Sequence, residues 1–145
     1  DHQVATFQRK LALPEGARVV DFGCAKSATM RLLKQQRPDV NVHLFDISDR
    51  YVGFWEKFLS PEQWATYTIP PAWQRSFDVV SSFFSLEHIP DLTTALRNIH
   101  SLLRDGGQLA TVLPHGVLFR GETYSLAQGR WAGGLVAPAP CWRSK

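Results

Sequence analysis

The sequence predicts an α/β fold, a mostly parallel sheet with helices on both faces, in which five strands are recognisable. Three observations carry this reading. Short apolar runs alternate with segments of helical length along most of the chain. One of those segments places Leu92, Leu96, Ile99 and Leu103 at steps of four, three and four, which makes an amphipathic helix. No internal repeat or low-complexity run competes with a single sheet.

Taken in order, Val4, Phe7 and Leu11 fall at helical spacing, and Pro14-Glu15-Gly16 stops that first helix. Residues 18–22 are an apolar run ended by Gly23, the first strand. Residues 28–36 read as a helix holding Met30, Leu32 and Leu33, with Pro38 beyond its stop. Residues 40–45 form the second strand, which ends at Asp46. A helix is expected over about 49–59, with Ser48 as its N-cap and Tyr51, Trp55 and Phe58 on one face. Ser60-Pro61-Glu62-Gln63 has a cap serine, a first-turn proline and a glutamine three residues on, the pattern of another helix start. Residues 67–69 read as a short strand before Pro70-Pro71, and 77–82 as a longer one. The helix through Leu92 is expected to close with Gly106 or Gly107 at its C-cap, and 109–113 is the last confident strand.

The chain has 145 residues, enough for one domain whose core needs no disulfide or metal staple. Its two cysteines, Cys24 and Cys141, and the lack of zinc-ligand spacing point to a reducing, cytoplasmic setting with no metal site. No segment has the length of a membrane span, and the N-terminus lacks the order of a signal peptide. The chain begins at Asp1 without an initiator Met, so a piece of something longer is expected. Residues 1–115 carry 12 basic and 12 acidic side chains, while 116–145 hold Arg120, Arg130, Arg143 and Lys145 against Glu122 alone. A neutral body argues against a broad nucleic-acid surface. The glycines and prolines of 120–145 read as an irregular basic tail beside a 1–119 domain.

In such a sheet, ligands bind at the C-terminal ends of the strands. Asp21-Phe22-Gly23-Cys24-Ala25-Lys26-Ser27-Ala28 has small residues at alternate positions 23, 25 and 27, which lets a ligand approach the backbone. Asp46 stands 23 residues after Gly23, about where a carboxylate ending the second strand would accept both hydroxyls of a ribose. The plainer reading makes Gly23 a turn glycine and Asp46 a strand-end cap. The aromatics from Tyr51 to Trp73 read as core or pocket wall rather than a nucleobase platform. His43 and His100 read as structural.

The runs Val19-Val20-Asp21-Phe22-Gly23-Cys24, Leu44-Phe45-Asp46-Ile47-Ser48, Phe77-Asp78-Val79-Val80 with Leu86-Glu87-His88-Ile89-Pro90-Asp91, and Leu102-Leu103-Arg104-Asp105-Gly106-Gly107-Gln108-Leu109 follow one another in a telling order. Over about residues 15–114 the chain resembles class I S-adenosylmethionine-dependent methyltransferases, which have a Rossmann-like sheet, and among them the branch acting on small molecules, lipids and saccharides. The resemblance implies S-adenosylmethionine as cofactor. Asp21 and Gly23 would lie beside its methionine moiety, Cys24 and Ala25 would line the loop, Asp46 would hold the ribose and Ile47 would pack near the adenine. Phe83, Phe84 and Ser85 would flank the methyl donor. His88 would stand on the substrate side, as a proton acceptor or, preferred here, as a residue that orients the loop before Asp91.

Ala25 and Ser27 stand where the family usually carries glycine, and the short strand near Ile69 is not followed by the acidic residue with which the family often contacts the adenine amine. The family sheet has seven strands, of which the last two are not evident after Phe119. The resemblance therefore implies an open sheet edge through which the chain would associate, and an isolated chain that binds cofactor with little or no turnover. Three other readings stay open: a nicotinamide-dependent oxidoreductase, which Gly23, Ala25, Ala28 and Asp46 approximate; a nucleic-acid methyltransferase; and a non-catalytic cofactor-binding remnant.

Overall fold

The computed structural model describes residues 2–11, 13–113, 120–125 and 130–132. Helix α1 (His2–Lys10) leads into β1 (Arg18–Phe22), α2 (Ala28–Gln36) and β2 (Asn41–Asp46). A short α3 (Val52–Trp55) and β3 (Trp64–Thr66) follow, then β4 (Phe77–Phe83), α4 (Leu92–Leu102) and β5 (Leu103–Leu113). The strands β6 (Arg120–Ser125) and β7 (Arg130–Ala132) complete a seven-stranded sheet in the order β3-β2-β1-β4-β5-β6-β7. The first five are parallel, as expected from the alternation of strand and helix.

Because successive side chains of a strand point to opposite faces, β1 sends Val19 to one core and Val20 to the other. The Val19 side packs against Phe7 of α1, Met30 and Leu33 of α2, and Trp55 of α3. The Val20 side packs against Ala95, Ile99 and Leu102 of α4. Among the described residues no helix is long and apolar enough to cross a membrane.

The structure corrects several expectations. Two edge strands exist where none was evident: β6 pairs antiparallel with β5 from Gln108↔Ser125 to Leu113↔Arg120, and β7 pairs antiparallel with β6. The edge of β5 is therefore closed by β6, and the outer strands are β3 and β7. Residues 120–125 and 130–132 are extended rather than irregular; His115, Cys141 and Trp142 lie outside the described residues. The helix expected over 49–59 is a single 3₁₀ turn at Asp49–Tyr51 plus α3, with Ser48 Oγ accepting from the Arg50 N–H. Trp55, fully buried, ends it, and the N–H groups of Phe58 and Leu59 both turn back to its carbonyl.

Pro61–Gln63 is likewise one 3₁₀ turn, because Trp64 leaves it to pair with Leu44. The short strand thus lies at Trp64–Thr66, not 67–69, and Tyr67 ends it at φ +62°. Finally, α4 stops at Leu102 without a glycine cap. Leu103 pairs with Phe77 and enters the core, and Gly106 at φ +76° lies in the bulge that brings Gln108 opposite Val79.

Candidate functional site

The C-terminal ends of β1 and β2 lie side by side, with Phe22 opposite Phe45. From Phe22 the chain enters a loop whose backbone is left-handed at every second residue: Gly23 at φ +73°, Ala25 at +45° and Ser27 at +53°. These are the positions at which the sequence shows small residues, and the structure supplies the reason. A left-handed conformation costs an L residue roughly 1–2 kcal/mol, so Ala25 and Ser27 hold it only because their surroundings impose it.

Those surroundings are specific. The N–H groups of Gly23 and Cys24 donate to the Phe45 carbonyl at 2.8 and 3.3 Å. The Ala25 N–H donates to Asp46 Oδ2 at 2.9 Å, and the Ala25 carbonyl accepts from the indole Nε1 of Trp55 at 2.7 Å. Asp46 Oδ1 accepts from the Ser48 N–H at 3.0 Å. Each Asp46 oxygen thus takes one backbone donor, no cation among the described residues pairs with the carboxylate, and acceptor capacity remains on both oxygens.

Asp21 lies deeper, buried, with Ser81 of β4 donating its Oγ–H to Oδ1 at 2.8 Å. Burial pushes its pKa up to about 7; the Ser81 hydrogen bond restrains the rise and the nearby Asp46 charge adds to it. Ser27 Oγ is buried without a partner of hydrogen-bonding geometry, yet near enough to Asp21 to help restrain it. Cys24 is a buried thiol whose pKa is pushed up by burial and then by Asp21 and Asp46, which favours the neutral thiol.

The segment after β4 closes over this loop. Phe84 is left-handed at φ +51°, with its N–H on the Val112 carbonyl, and the turn brings Ser85 onto Gly23. A Cβ at position 23 would stand 1.8 Å from Ser85 Oγ, so glycine is required there by both conformation and space. Phe83, at the end of β4, packs edge-on against Phe7 at 5.9 Å. His88 is apart from this cluster: its side chain is 79% exposed, its nearest ionic neighbour is Glu87 at 3.9 Å, and its N–H caps the turn on the Ser85 carbonyl.

Beyond the strand ends, Ile47 and Tyr67 are large apolar side chains left 71% and 61% exposed. Asp46 pairs with Thr66 and the Tyr67 N–H donates to the Asp46 carbonyl, so the two residues follow adjacent strand ends. Sequence reasoning named Ile47 but missed Tyr67, Trp55 and Ser81. The aromatic density from Tyr51 to Trp73 was the available signal for the first two; nothing local in the sequence marks Ser81. Among the described residues no group of three His, Cys, Asp or Glu side chains converges on a metal site.

The loop fits a nucleoside-bearing cofactor: a buried carboxylate with spare acceptors lies at the strand end, beside exposed apolar side chains and a glycine at which a Cβ would run into Ser85. A sheet of this order with these strand ends is the architecture of class I S-adenosylmethionine-dependent methyltransferases, for which S-adenosylmethionine is the cofactor. The chain belongs to that family, since the Methyltransferase domain profile matches residues 2–133.

Among curated proteins it is 31% identical over 117 residues to juvenile hormone acid O-methyltransferase of Bombyx mori, covering 72% of this chain and 41% of that protein. It is 26% identical over 128 residues to demethylmenaquinone methyltransferase of Thermotoga maritima, covering 83% and 56%. The chain thus spans about half the length of the curated relatives it matches. Among solved structures, coclaurine N-methyltransferase bound to N-methylheliamine and SAH superposes with a TM-score of 0.66 at 17% identity, over 77% of this chain and 35% of that one, a likeness of fold.

Proposed function

We propose that this chain is the cofactor-holding part of an enzyme that methylates a small organic acceptor, a small molecule, lipid or saccharide. The observation that carries the reading is the loop left-handed at residues 23, 25 and 27 and tied to Asp46 through the Ala25 N–H. When bound, the cofactor supplies an electrophilic methyl group on a sulfonium.

The chain's own residues bind and orient. Asp46 takes the two ribose hydroxyls on the acceptor capacity its backbone donors leave free. Ile47 and Tyr67 give the adenine an apolar rest, Cys24 and Ala25 line the loop, and Asp21, steered by Ser81, faces the methionine end beside Gly23. Phe83, Phe84 and Ser85 keep water from the reacting atoms, and alignment rather than covalent chemistry supplies most of the rate. His88, exposed at the rim, orients the turn before Asp91 and takes a proton only from acceptors that must lose one. The relatives' names, which give juvenile hormone acid and demethylmenaquinone, support an organic acceptor over a nucleic acid. A buried, unpaired Cys24 suits a cytoplasmic enzyme.

The test is a methyl-transfer assay with isotope-labelled cofactor on fractionated cell extract, using the protein that carries this chain. Label is expected in the organic-extractable small-molecule and lipid fraction. Label confined to nucleic acid would overturn the acceptor class.

A further inference from the structure

On the outer side of the loop after β1, an open cavity of about 420 Å³ lies between α2 and the segment around α3, lined chiefly by Lys26, Arg31, Leu32, Gln35, Phe54 and Lys57, all of them exposed except the half-buried Leu32. The lining holds three cations and no carboxylate. Among the described residues the ion pairs are Arg37–Asp39, Arg75–Asp105, Arg104–Asp78 and His88–Glu87, so none of the three is neutralised. Residues 1–115 are balanced at 12 cations and 12 anions, which makes this excess local.

Two of the cations are held by a ring instead. Lys26 Nζ and Lys57 Nζ lie 5.1 and 5.3 Å from the centroid of Phe54, itself 42% exposed. The walls are fixed from behind: Trp55 donates to the Ala25 carbonyl, and these two residues adjoin Phe54 and Lys26.

We propose that this cavity binds a small phosphorylated ligand, a phosphate monoester or a diphosphate. A group carrying two or more charges matches three unpaired cations better than a single carboxylate does. Arg31 offers a planar fork to two phosphate oxygens, while the lysines act as point charges on their ring. Leu32 and the Phe54 edge give the organic part an apolar wall, and Gln35 provides one neutral hydrogen-bonding group. A nucleic acid would need cations continuing along a track, and the balanced body offers none. The inference does not depend on the methyl acceptor, and the residues varied to test it, Arg31 and Lys57, lie outside the cofactor loop whose Ala25 anchors one wall.

Inorganic pyrophosphate, titrated into the full chain and followed by calorimetry and by amide NMR shifts, is the probe. One saturable site is expected, with shifts confined to residues 26–35 and 54–57. The double variant Arg31→Glu/Lys57→Glu should weaken it about tenfold or more, while affinity for S-adenosylhomocysteine stays within about twofold. If charge reversal impairs folding, Arg31→Gln and Lys57→Gln singly should each weaken binding. No saturable binding in the millimolar range, shifts elsewhere, or variants that bind undiminished would overturn the site. A single-stranded oligonucleotide that binds more tightly than pyrophosphate and is lost in the same variants would overturn the small-ligand assignment.

Discussion

Asp78 and Asp46 belong to the same sheet, one near the N-terminal end of β4 and the other at the C-terminal end of β2. Asp78 accepts from the Arg18 N–H at 2.8 Å and from Arg104 Nε at 2.5 Å. Asp39, before β2, pairs with Arg37, and Asp105, early in β5, pairs with Arg75. At the other end, Asp46 and Asp21 have no arginine among the described residues; backbone N–H groups and one serine hydroxyl hold them. At the N-terminal ends of the strands the sheet thus neutralises these carboxylates with arginines. At the end proposed to hold the cofactor it leaves Asp46 and Asp21 paired only with neutral donors.

The two glycines that flank β1 give the largest expected contrast. Gly16, before the strand, has φ +71° and open space where a Cβ would stand, whereas Gly23, after it, has φ +73° and would place a Cβ 1.8 Å from Ser85 Oγ. Gly16→Ala should cost on the order of 1 kcal/mol, the conformational penalty alone, and leave cofactor binding unchanged. Gly23→Ala should cost about 3 kcal/mol or more in urea unfolding, because the same penalty is joined by displacement of the segment after β4. Ser85→Gly in that background should recover part of the loss. Equal costs at the two positions would remove the distinction between the two ends.

The next contrast is in pH. Asp21 is raised from 3.8 to about 7 by burial, whereas burial lowers His43, packed edge-on against Trp73 and Phe77, from 6.5 to about 4. Folding therefore favours the proton on Asp21: its stabilisation is complete below about pH 4 and lost as pH rises through 7. His43 has the opposite sign, its neutral form stabilising fully above 6.5 and failing as pH falls through 4. Between those limits the two slopes cancel. Relative to wild type, Asp21→Asn should gain stability with rising pH and His43→Phe should lose it, each approaching ~1.4 kcal/mol per pH unit. Parallel curves for wild type and both variants would mean that neither group is perturbed.

Much of this arrangement was legible in the sequence. The parallel strands β1, β2 and β4 and the 109–113 half of β5 are short, apolar and punctuated, and the loop from Gly23 with Asp46 after it stood out because such positions need small or acidic residues for steric and hydrogen-bonding reasons. Three features were not legible. The left-handed backbone at Ala25 is held by bonds to Asp46 and Trp55, next to the bonds of Gly23 and Cys24 to Phe45, all remote in sequence. The end of α4 is set by Leu103 pairing with Phe77 rather than by the glycines beyond it. The strands β6 and β7 have a polar, glycine-bearing sequence, Arg-Gly-Glu-Thr-Tyr-Ser in β6. An edge strand gains its order from backbone pairing with β5, which leaves little apolar alternation to read.

Removing one carboxylate from each end contrasts the two, although Asp46→Asn also turns an amide NH2 toward one of two backbone donors and so costs some stability along with binding. Asp46→Asn should lower affinity for S-adenosylhomocysteine by roughly tenfold or more, on the order of 1.5–3 kcal/mol, since a charge-assisted acceptor for two hydroxyls is lost. Asp78→Asn should lower the melting temperature, because Arg104 and the Arg18 N–H lose a charged partner, and leave that affinity unchanged. Calorimetry and thermal unfolding on both variants read the two effects. An affinity loss at Asp78 equal to that at Asp46 would show that the ends are coupled.

The smallest effect is expected at the most exposed ion pair. Arg75 and Asp105 are paired at the N-terminal edge with side chains 64% and 91% exposed, so solvent screens the attraction and ordering two mobile side chains offsets it. Arg75→Ala should cost no more than about 1 kcal/mol, a difference that shrinks in 1 M salt, where the screening length is about 3 Å. The backbone matters more than the charge here, because Arg75 is left-handed at φ +51° while its N–H donates to the Ser101 carbonyl at 2.8 Å. Alanine keeps that strain, and glycine relieves it at the expense of a more flexible unfolded chain. Arg75→Gly should therefore be no less stable than Arg75→Ala although both lose the ion pair. A loss of several kcal/mol in both variants that salt leaves unchanged would make the pair a structural element of the sheet, and arginine pairing at this end would then do more than neutralise charge.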